Sequence, residues 1–181
     1  MRRMLVIFAA ALATVALAAS AALAASPHFK KGGAPTCNVS AISGGSETIC
    51  SATLAGLGNS DVQVDLSVSG FALYQCQNGG GNIAPGQNKV LVGPATSSTS
   101  FPASSIKNGN LSITTNPADL TAPATVSGAT AGCPNSNWTG VNPVVTPTSI
   151  TLVISQPPGT VIFRCTASNP KGLSGTVPLS C

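Results

Sequence analysis

The clearest strand pattern of this chain is the segment Asp61-Val62-Gln63-Val64-Asp65-Leu66-Ser67-Val68-Ser69. Apolar and polar side chains alternate throughout it, so the valines and the leucine share one face and the polar groups share the other. A period of two is that of a β-strand. The alternation predicts a strand with one face in the core and the other in water, as in an antiparallel sheet covered on one side.

Gly70 follows directly, and beyond it the bulky residues Phe71 and Leu73 fall on the opposite parity. Glycine within a strand often marks a bulge or a bend. We therefore expect the strand to bend or bulge at Gly70, where it passes between two sheets.

Runs of the same kind recur on both sides, separated by turn residues about every ten positions. The further predicted strands are 37–43, 46–54, 89–92, 98–101, 111–115, 138–141, 149–155, 161–165 and 176–180. Residues 77–88 and 116–137 are predicted loops. The pattern predicts an all-β fold, specifically an immunoglobulin-like two-sheet sandwich of about nine or ten strands.

The chain contains six cysteines, an even number that suits disulfides in an exported protein. We favour the three sequential pairs Cys37–Cys50, Cys76–Cys133 and Cys165–Cys181, although sequence does not fix connectivity. A bridge between Cys50 and Cys165, as in immunoglobulin domains, is the main alternative. Zinc is disfavoured because no C-x-x-C spacing occurs and the chain has one histidine.

The N-terminus has the order of a secretory signal peptide: a basic start, an apolar run over 5–23, and the small residues Ala22 and Ala24. We predict a signal peptide over 1–24, a flexible lead-in over 25–36 and a β-sandwich domain over 37–181. An uncleaved membrane anchor is the alternative, because the run is just long enough to span a bilayer. After cleavage no transmembrane segment is predicted.

Charge and aromatic content are both low: 7% of residues are charged, 4% are aromatic, and the formal net charge is +4. The cations are not clustered along the mature part. Nucleic-acid binding is therefore not expected, because it depends on clustered cations and often on stacking aromatics.

The chain contains few residues that could catalyse a reaction or bind a metal ion: one histidine and four acidic residues. His28, the one histidine, falls in the predicted lead-in, away from a core where a nucleophilic triad would hold it. Asp61 and Asp65 share a strand face but would lie about 13 Å apart, too far for paired-carboxylate hydrolysis. Calcium at Asp61, Gln63 and Asp65 is also disfavoured, since calcium needs six to eight oxygen ligands. We expect no cofactor, no metal and no enzyme activity.

The loop 77–88 and the single tryptophan are the candidate ligand-binding elements. Glycines expose backbone amides, and amide side chains offer both donors and acceptors to a sugar or a carboxylate. The candidate residues are Asn78, Asn82, Gln87, Asn88 and Trp138. The alternative is structural: glycine permits tight turns, asparagine caps them, and a tryptophan beside a disulfide packs in a core.

Four motifs in this order resemble those of a group of small uncharacterised exported proteins, mainly from actinobacteria. They are Thr53-Leu54-Ala55-Gly56-Leu57-Gly58-Asn59, Cys76-Gln77-Asn78-Gly79-Gly80-Gly81-Asn82, Ala84-Pro85-Gly86-Gln87-Asn88 and Gly132-Cys133-Pro134-Asn135-Ser136-Asn137-Trp138-Thr139. The resemblance covers roughly 37–154. A proline is usual where this chain has Gly79, and the pair Cys165 and Cys181 does not belong to the pattern. The resemblance implies export and a common fold, and it assigns no activity.

These observations favour a secreted or cell-surface, non-catalytic β-sandwich with a structural or adhesive role in the envelope. The alternative is an extracellular module that binds a small molecule or a glycan, and a secreted hydrolase ranks last. The expected partner is a cell-envelope polymer or a small ligand.

Overall fold

The computed structural model describes residues 26–181, so the predicted signal peptide lies outside the described residues. The described part is almost entirely β-structure, arranged in two antiparallel sheets, as the alternation of the sequence predicts. The strands are β1 (His28–Phe29), β2 (Thr36–Ile42), β3 (Gly45–Ala55), β4 (Val62–Gln77), β5 (Ile83–Pro85), β6 (Val90–Phe101), β7 (Leu111–Thr114), β8 (Ala118–Thr121), β9 (Val126–Ser127), β10 (Thr139–Ser155), β11 (Val161–Ser168) and β12 (Gly175–Pro178). One turn of α-helix, α1, spans Gly128–Ala131.

Sheet A is built around β3. Strand β2 pairs with β3 through the hairpin that turns at Ser43 and Gly44, and β12 pairs with β2 beyond it. Strands β7 and β8 also pair with β3, and β1 pairs with its last two residues. The predicted strands 37–43 and 46–54 are therefore neighbours in a hairpin, and Gly44 has the positive φ of 74° that its tight turn requires.

Sheet B is built around the two longest strands, β4 and β10, which pair along most of their length. Strand β11 flanks β10, β6 flanks β4, and the short strands β5 and β9 extend the sheet at one end. Several predicted strands merge in this sheet: 89–92 and 98–101 belong to β6, and 138–141 and 149–155 belong to β10.

The main core lies between the sheets and consists of aliphatic side chains from alternate positions. Strand β4 contributes Val62, Val64, Leu66 and Val68, the apolar face that the alternation over 61–69 predicts. Sheet A supplies the opposing layer from β3, β7 and β8, including Leu54 and the side chains of Ile113 and Leu120. The two-sheet β-sandwich is thus confirmed, while its immunoglobulin-like classification stays a prediction.

The irregularity predicted at Gly70 is confirmed, because the pairing register of β4 shifts between Val68 and Gly70. The predicted passage of the strand between two sheets is wrong: β4 remains in sheet B, and Ala72, Tyr74 and Cys76 continue the buried face. Leu73 is 39% exposed on the opposite side. The large side chains of Phe71 and Leu73 indicated the wrong inner face. The inner face at this end is covered by a close-packed connection that admits only small side chains and one tyrosine.

That connection is the segment 122–138, which contains β9 and α1 and which we call the accessory segment. It covers a second, smaller group of buried residues, which we call the accessory core: Ala72, Tyr74, Cys76 and Ala131. The side chains of Trp138 and Val126 pack against it from the periphery. The predicted surface loop 116–137 therefore contains β8, β9 and α1 and closes one end of the molecule.

Residues of the predicted lead-in take part in sheet A. Beyond the pairing of β1, the Lys30 amide donates to the Thr53 carbonyl and the Thr53 amide donates to the Gly33 carbonyl, both at 2.9 Å. The rings of Phe29 and Phe163 approach to 4.3 Å between centroids. Their contact joins the first strand to sheet B.

The three disulfides are Cys37–Cys50, Cys76–Cys133 and Cys165–Cys181, the pairs that the sequence favours. The first joins paired residues of β2 and β3, and the second ties the accessory segment to β4. The third fixes the C-terminus, which leaves β12 in sheet A and pairs at Ser180 with Thr166 of sheet B. Within residues 26–181, no helix is long and apolar enough to cross a membrane.

Candidate functional site

The predicted ligand loop begins with Asn78, whose side chain organises the turn that contains it. Its Oδ1 accepts hydrogen bonds from the amides of Gly80 at 3.0 Å and Asn82 at 2.9 Å. The Gly81 amide also donates to the Asn78 carbonyl at 3.0 Å. The oxygen of Asn78 is therefore engaged within the loop, while the Asn82 side chain is exposed.

Asn88 and Gln87 connect the end of the loop to the accessory segment. The Asn88 side-chain amide donates to the carbonyls of Ala129 at 3.3 Å and Thr130 at 3.2 Å, two carbonyls near the end of α1. The backbone amide of Gln87 donates to the Ala131 carbonyl at 3.1 Å. The side chain of Gln87 is exposed and lies 3.5 Å from the Pro85 carbonyl.

Trp138 is half-buried and packs at the edge of the accessory core. Its backbone amide donates to the Asn135 carbonyl at 3.1 Å. The structure thus places Trp138, Asn78 and Asn88 around the end of sheet B that the Cys76–Cys133 bridge closes. The polar atoms that bond there hold the loop and the helix in place.

The first motif of the resemblance, residues 53–59, ends in the loop between β3 and β4, and the side chain of Gln156 holds that loop. The side chain of Gln156 accepts from the Gly58 amide at 3.0 Å and donates to the carbonyls of Gly58 and Ser60, both at 2.9 Å. Gln156 is buried. One glutamine therefore satisfies three backbone groups of the loop between β3 and β4.

The side chains of Asp61, Gln63 and Asp65, which the sequence analysis considered for calcium, do not meet at one site. Asp61 Oδ1 accepts from the backbone amide of Ala103 at 2.8 Å, at the start of a short 3₁₀ turn. The side-chain amide of Gln63 donates to both carboxylate oxygens of Asp65, at 3.0 and 3.1 Å. Among residues 26–181, no group of three or more His, Cys, Asp or Glu residues is placed to hold a metal ion.

The outer face of sheet B carries a groove that sequence reasoning did not identify. Its volume is about 550 Å³. One row of paired residues crosses it from β11 to β6, and the next row is made of hydroxyl side chains. The first row is Arg164, Val153, Asp65 and Ser98, and the second is Thr166, Thr151, Ser67 and Thr96.

The groove has one cation and one anion on either side of an apolar floor. Arg164 and Asp65 both pair with Val153, from opposite sides, so their backbones lie two strand spacings apart, about 9–10 Å. The Gln63 amide fixes the Asp65 carboxylate and leaves it lone pairs to accept further hydrogen bonds. The arrangement suits a ligand with hydroxyl groups on both edges and an apolar ring face between them.

The outer face of sheet B becomes apolar toward the end of the sheet that contains the accessory core. Leu91 is 87% exposed, Val144 is 65% exposed, and Leu73 lies between their strands. Phe71 is buried on this side beneath the Lys89 ammonium group, which lies 4.2 Å from the ring centroid. Sheet B therefore presents a hydroxyl-rich half and an apolar half on one surface.

Tyr74 is a buried member of the accessory core. Burial raises the pKa of its hydroxyl, because the phenolate would lose its hydration. The hydroxyl donates to the Pro123 carbonyl at 2.8 Å. Tyr74 thus fastens the accessory segment to β4.

The groove escaped sequence reasoning because its side chains come from four strands whose register only the fold supplies. The signal in the sequence was the polar half of each alternating stretch, such as Asp65 with Ser67 in β4 and Thr96 with Ser98 in β6. Comparison of the chain with family models, with curated proteins and with solved structures finds no match.

Proposed function

We propose that the mature chain is a secreted, non-catalytic adhesive protein of the cell envelope that holds a hydroxyl-rich polymer on the outer face of sheet B. The observation that carries the proposal is the groove in which Arg164 and Asp65 flank Val153 beside a row of hydroxyl side chains. A polysaccharide of the envelope is the polymer that this chemistry fits best.

Sugar recognition is supported by the pairing of polar groups with an apolar floor. A guanidinium donates hydrogen bonds and a carboxylate accepts them, so together they match hydroxyl groups that do both. The separation of Arg164 and Asp65 leaves room for one sugar ring over Val153. The methyl groups of Thr96 and Thr151 widen the apolar contact.

An adhesive role is supported by the open shape of this surface. The groove lies on the flat of a sheet, where a long chain can cross the strands and continue on both sides. A polymer can therefore occupy repeated positions, and weak contacts at each copy of the protein combine by avidity on a surface. Export is supported by the three disulfides, which form and persist in oxidising compartments.

The test is co-sedimentation of the purified, oxidised domain with insoluble cell-wall polysaccharide. We expect the wild type to pellet with the polymer and Thr151→Arg to remain in the supernatant, because the longer side chain fills the groove. Thr114→Arg is the matched control, since it places the same change on the outer face of sheet A.

Two results would contradict the proposal: equal pelleting of Thr151→Arg and wild type, or equal loss in both arginine variants. The first would exclude the groove. The second would indicate that added charge, and not position, governs retention.

A further inference from the structure

The connection from β6 to β7, residues 102–110, leaves a hollow between itself and the open edge of β7. Its volume is about 490 Å³. Two lysines, two serines and two apolar side chains line it: Lys30, Lys107, Ser105, Ser112, Phe101 and Leu111. The hollow shares no residue with the groove on sheet B, so it is a separate candidate for binding.

The backbone amide of Ser112 faces the open edge of β7, because the pairing of the strand turns it away from β3. Its partner Thr53 donates from its amide to the Gly33 carbonyl and accepts at its carbonyl from the Lys30 amide, both on the far side of β3. Thr53 and Ser112 therefore form a non-hydrogen-bonded pair of the antiparallel ladder. Within residues 26–181, β7 pairs with no other strand. The Ser112 amide is thus a donor at an open edge.

The side chains of Lys30 and Lys107 line the hollow from two sides of this edge. Lys30 lies beside Thr53, and its backbone is two strand spacings, about 10 Å, from that of Ser112. Lys107 lies on the connection, where its Nζ donates to the Ser104 carbonyl at 2.8 Å and keeps two further protons to donate. Two ammonium groups and one backbone amide therefore surround a single open volume.

No carboxylate among residues 26–181 lines the hollow to neutralise these lysines. Asp61 is held by an amide at the start of the connection, at 2.8 Å, and Asp65 belongs to the groove on sheet B. Glu47 and Asp119 are paired on sheet A, but Glu47 is six residues from Thr53 along β3, or about 20 Å. The hollow is therefore positively charged, and its chemistry suits an anion.

A phosphate group matches this donor set. It carries up to two negative charges and three strong acceptor oxygens, which two ammonium groups and an amide can meet together. The hollow has the volume of a small-molecule site, about 300–1,000 Å³, and leaves room beside a phosphate for an organic group. Phe101 and Leu111 offer apolar contact to that group, and Ser105 offers a hydroxyl.

We propose that this hollow is a binding site for an organic phosphate, the phosphate ester of a short polyol. The phosphate lies against the Ser112 amide, with the ammonium groups of Lys30 and Lys107 on either side. The carbon chain contacts Phe101, and a polyol hydroxyl bonds to Ser105. The site is independent of the polysaccharide groove, so either can fail without the other.

The experiment is a titration of the ¹⁵N-labelled, oxidised domain with sn-glycerol 3-phosphate, followed by amide chemical shifts. We expect saturable shifts centred on Lys107 and Ser112. Glycerol is the neutral control probe and is expected to give no saturable shift. Inorganic phosphate is expected to bind more weakly than the ester, because it lacks the carbon chain.

Charge and amide variants test the assigned contacts. Lys30→Gln/Lys107→Gln is expected to weaken binding about 10-fold, because each exposed charge contributes a few-fold. Lys171→Gln is the matched control: it removes the same charge from an exposed residue outside the hollow and should bind like the wild type. Ser112→Pro removes the amide donor at an open edge, where the sheet tolerates its loss, and is expected to weaken binding about 5-fold.

Four results would overturn the proposal: no saturable shift of the wild type with glycerol 3-phosphate, equal binding of glycerol or of inorganic phosphate, wild-type affinity in the double lysine variant, or an equal loss in Lys171→Gln. The lysine variants keep the test decisive if Ser112→Pro does not fold.

Phosphate esters of polyols occur both in phospholipid headgroups and in water-soluble molecules. Co-sedimentation with phosphatidylglycerol vesicles distinguishes these sources. Retention of the wild type that is lost in the double lysine variant would assign the ligand to a lipid headgroup. Binding of glycerol 3-phosphate without retention on vesicles would assign it to a water-soluble ester.

Discussion

The main core and the accessory core are held together in different ways. The main core is filled by large aliphatic side chains from both sheets, among them Leu66, Ile150 and Leu152, which are at most 1% exposed. The accessory core contains two alanines, a tyrosine and a disulfide cysteine, covered by a single connection. Large side chains fill the main core, whereas a disulfide and backbone contacts close the accessory core.

The difference follows from how much apolar surface each region removes from water. A buried leucine or isoleucine contributes roughly 1.5–3 kcal/mol, and an alanine contributes much less. The accessory core compensates through close backbone approach, as at Gly86, where an added Cβ would lie 2.7 Å from the carbonyl oxygens of both Ala131 and Tyr74. The Cys76–Cys133 bridge then limits how far the connection can move away.

Removal of bulk from the main core should have the largest effect. Leu152→Ala leaves a cavity in the main core where β10 pairs with β4 and β11, and it is expected to lower the free energy of unfolding by about 2–5 kcal/mol. Chemical denaturation measures this change in the free energy of unfolding. Leu91→Ala is the control, because that leucine is 87% exposed and its truncation should change stability by less than about 0.5 kcal/mol. Equal effects of the two variants would contradict the assignment of the main core.

Removal of the bridge should affect the accessory region selectively. The double variant Cys76→Ala/Cys133→Ala is expected to lose about 2–4 kcal/mol, since the bridge closes a long loop. Amide hydrogen exchange should accelerate most over 122–138 and least in the centre of β4 and β10. Uniform acceleration across both sheets would indicate that the two cores are one cooperative unit.

A single methyl group tests the close backbone approach. Gly86→Ala is expected to destabilise the protein by about 1–3 kcal/mol, because its Cβ has no space between β4 and α1. Gly79→Ala, in the same loop with nothing within 4 Å of an added Cβ, is the matched control and should be close to neutral. A neutral Gly86→Ala would show that the accessory segment packs loosely.

The sequence predicted the main region better than the accessory one, for a physical reason. Alternation over Val62–Val68 reports burial between two sheets directly, and the spacing of the cysteines suited sequential pairs. Beyond Gly70 the same logic selected the large side chains of Phe71 and Leu73, whereas the covering segment admits only small side chains and one tyrosine there. That segment is distant in sequence and irregular, so no periodicity identifies it.

The candidate site divides in the same way. Asn78 and Asn88 were selected for their chemistry, and that chemistry is used to hold the loop and α1. The groove residues Asp65, Thr151 and Arg164 come from strands whose alternation was visible but whose register was not. The proposed binding surface is therefore the outer face of sheet B and not the loop 77–88.

The smallest expected effect concerns the tyrosine that fastens the accessory segment. Tyr74→Phe removes the hydrogen bond to the Pro123 carbonyl and should cost about 0.5–1.5 kcal/mol near neutral pH. Because burial raises the pKa of Tyr74, the folded state keeps its proton longer than the unfolded state does. Wild-type stability should therefore fall as pH rises above about 10.

The variant removes this contribution, so its own decline above that pH should be shallower than that of the wild type. Denaturation at a series of alkaline pH values measures both curves. Parallel curves would contradict a role for Tyr74 ionisation.

We propose that the ligand binds in the groove on sheet B and not at the loop 77–88. The most direct measurement is an amide chemical-shift titration of the ¹⁵N-labelled oxidised domain with soluble oligosaccharides released from cell-wall polysaccharide. We expect saturable shifts centred on the groove residues Asp65, Ser67, Thr96, Thr151 and Arg164. Shifts centred instead on 78–88 and Trp138, or no saturable shifts at all, would contradict it.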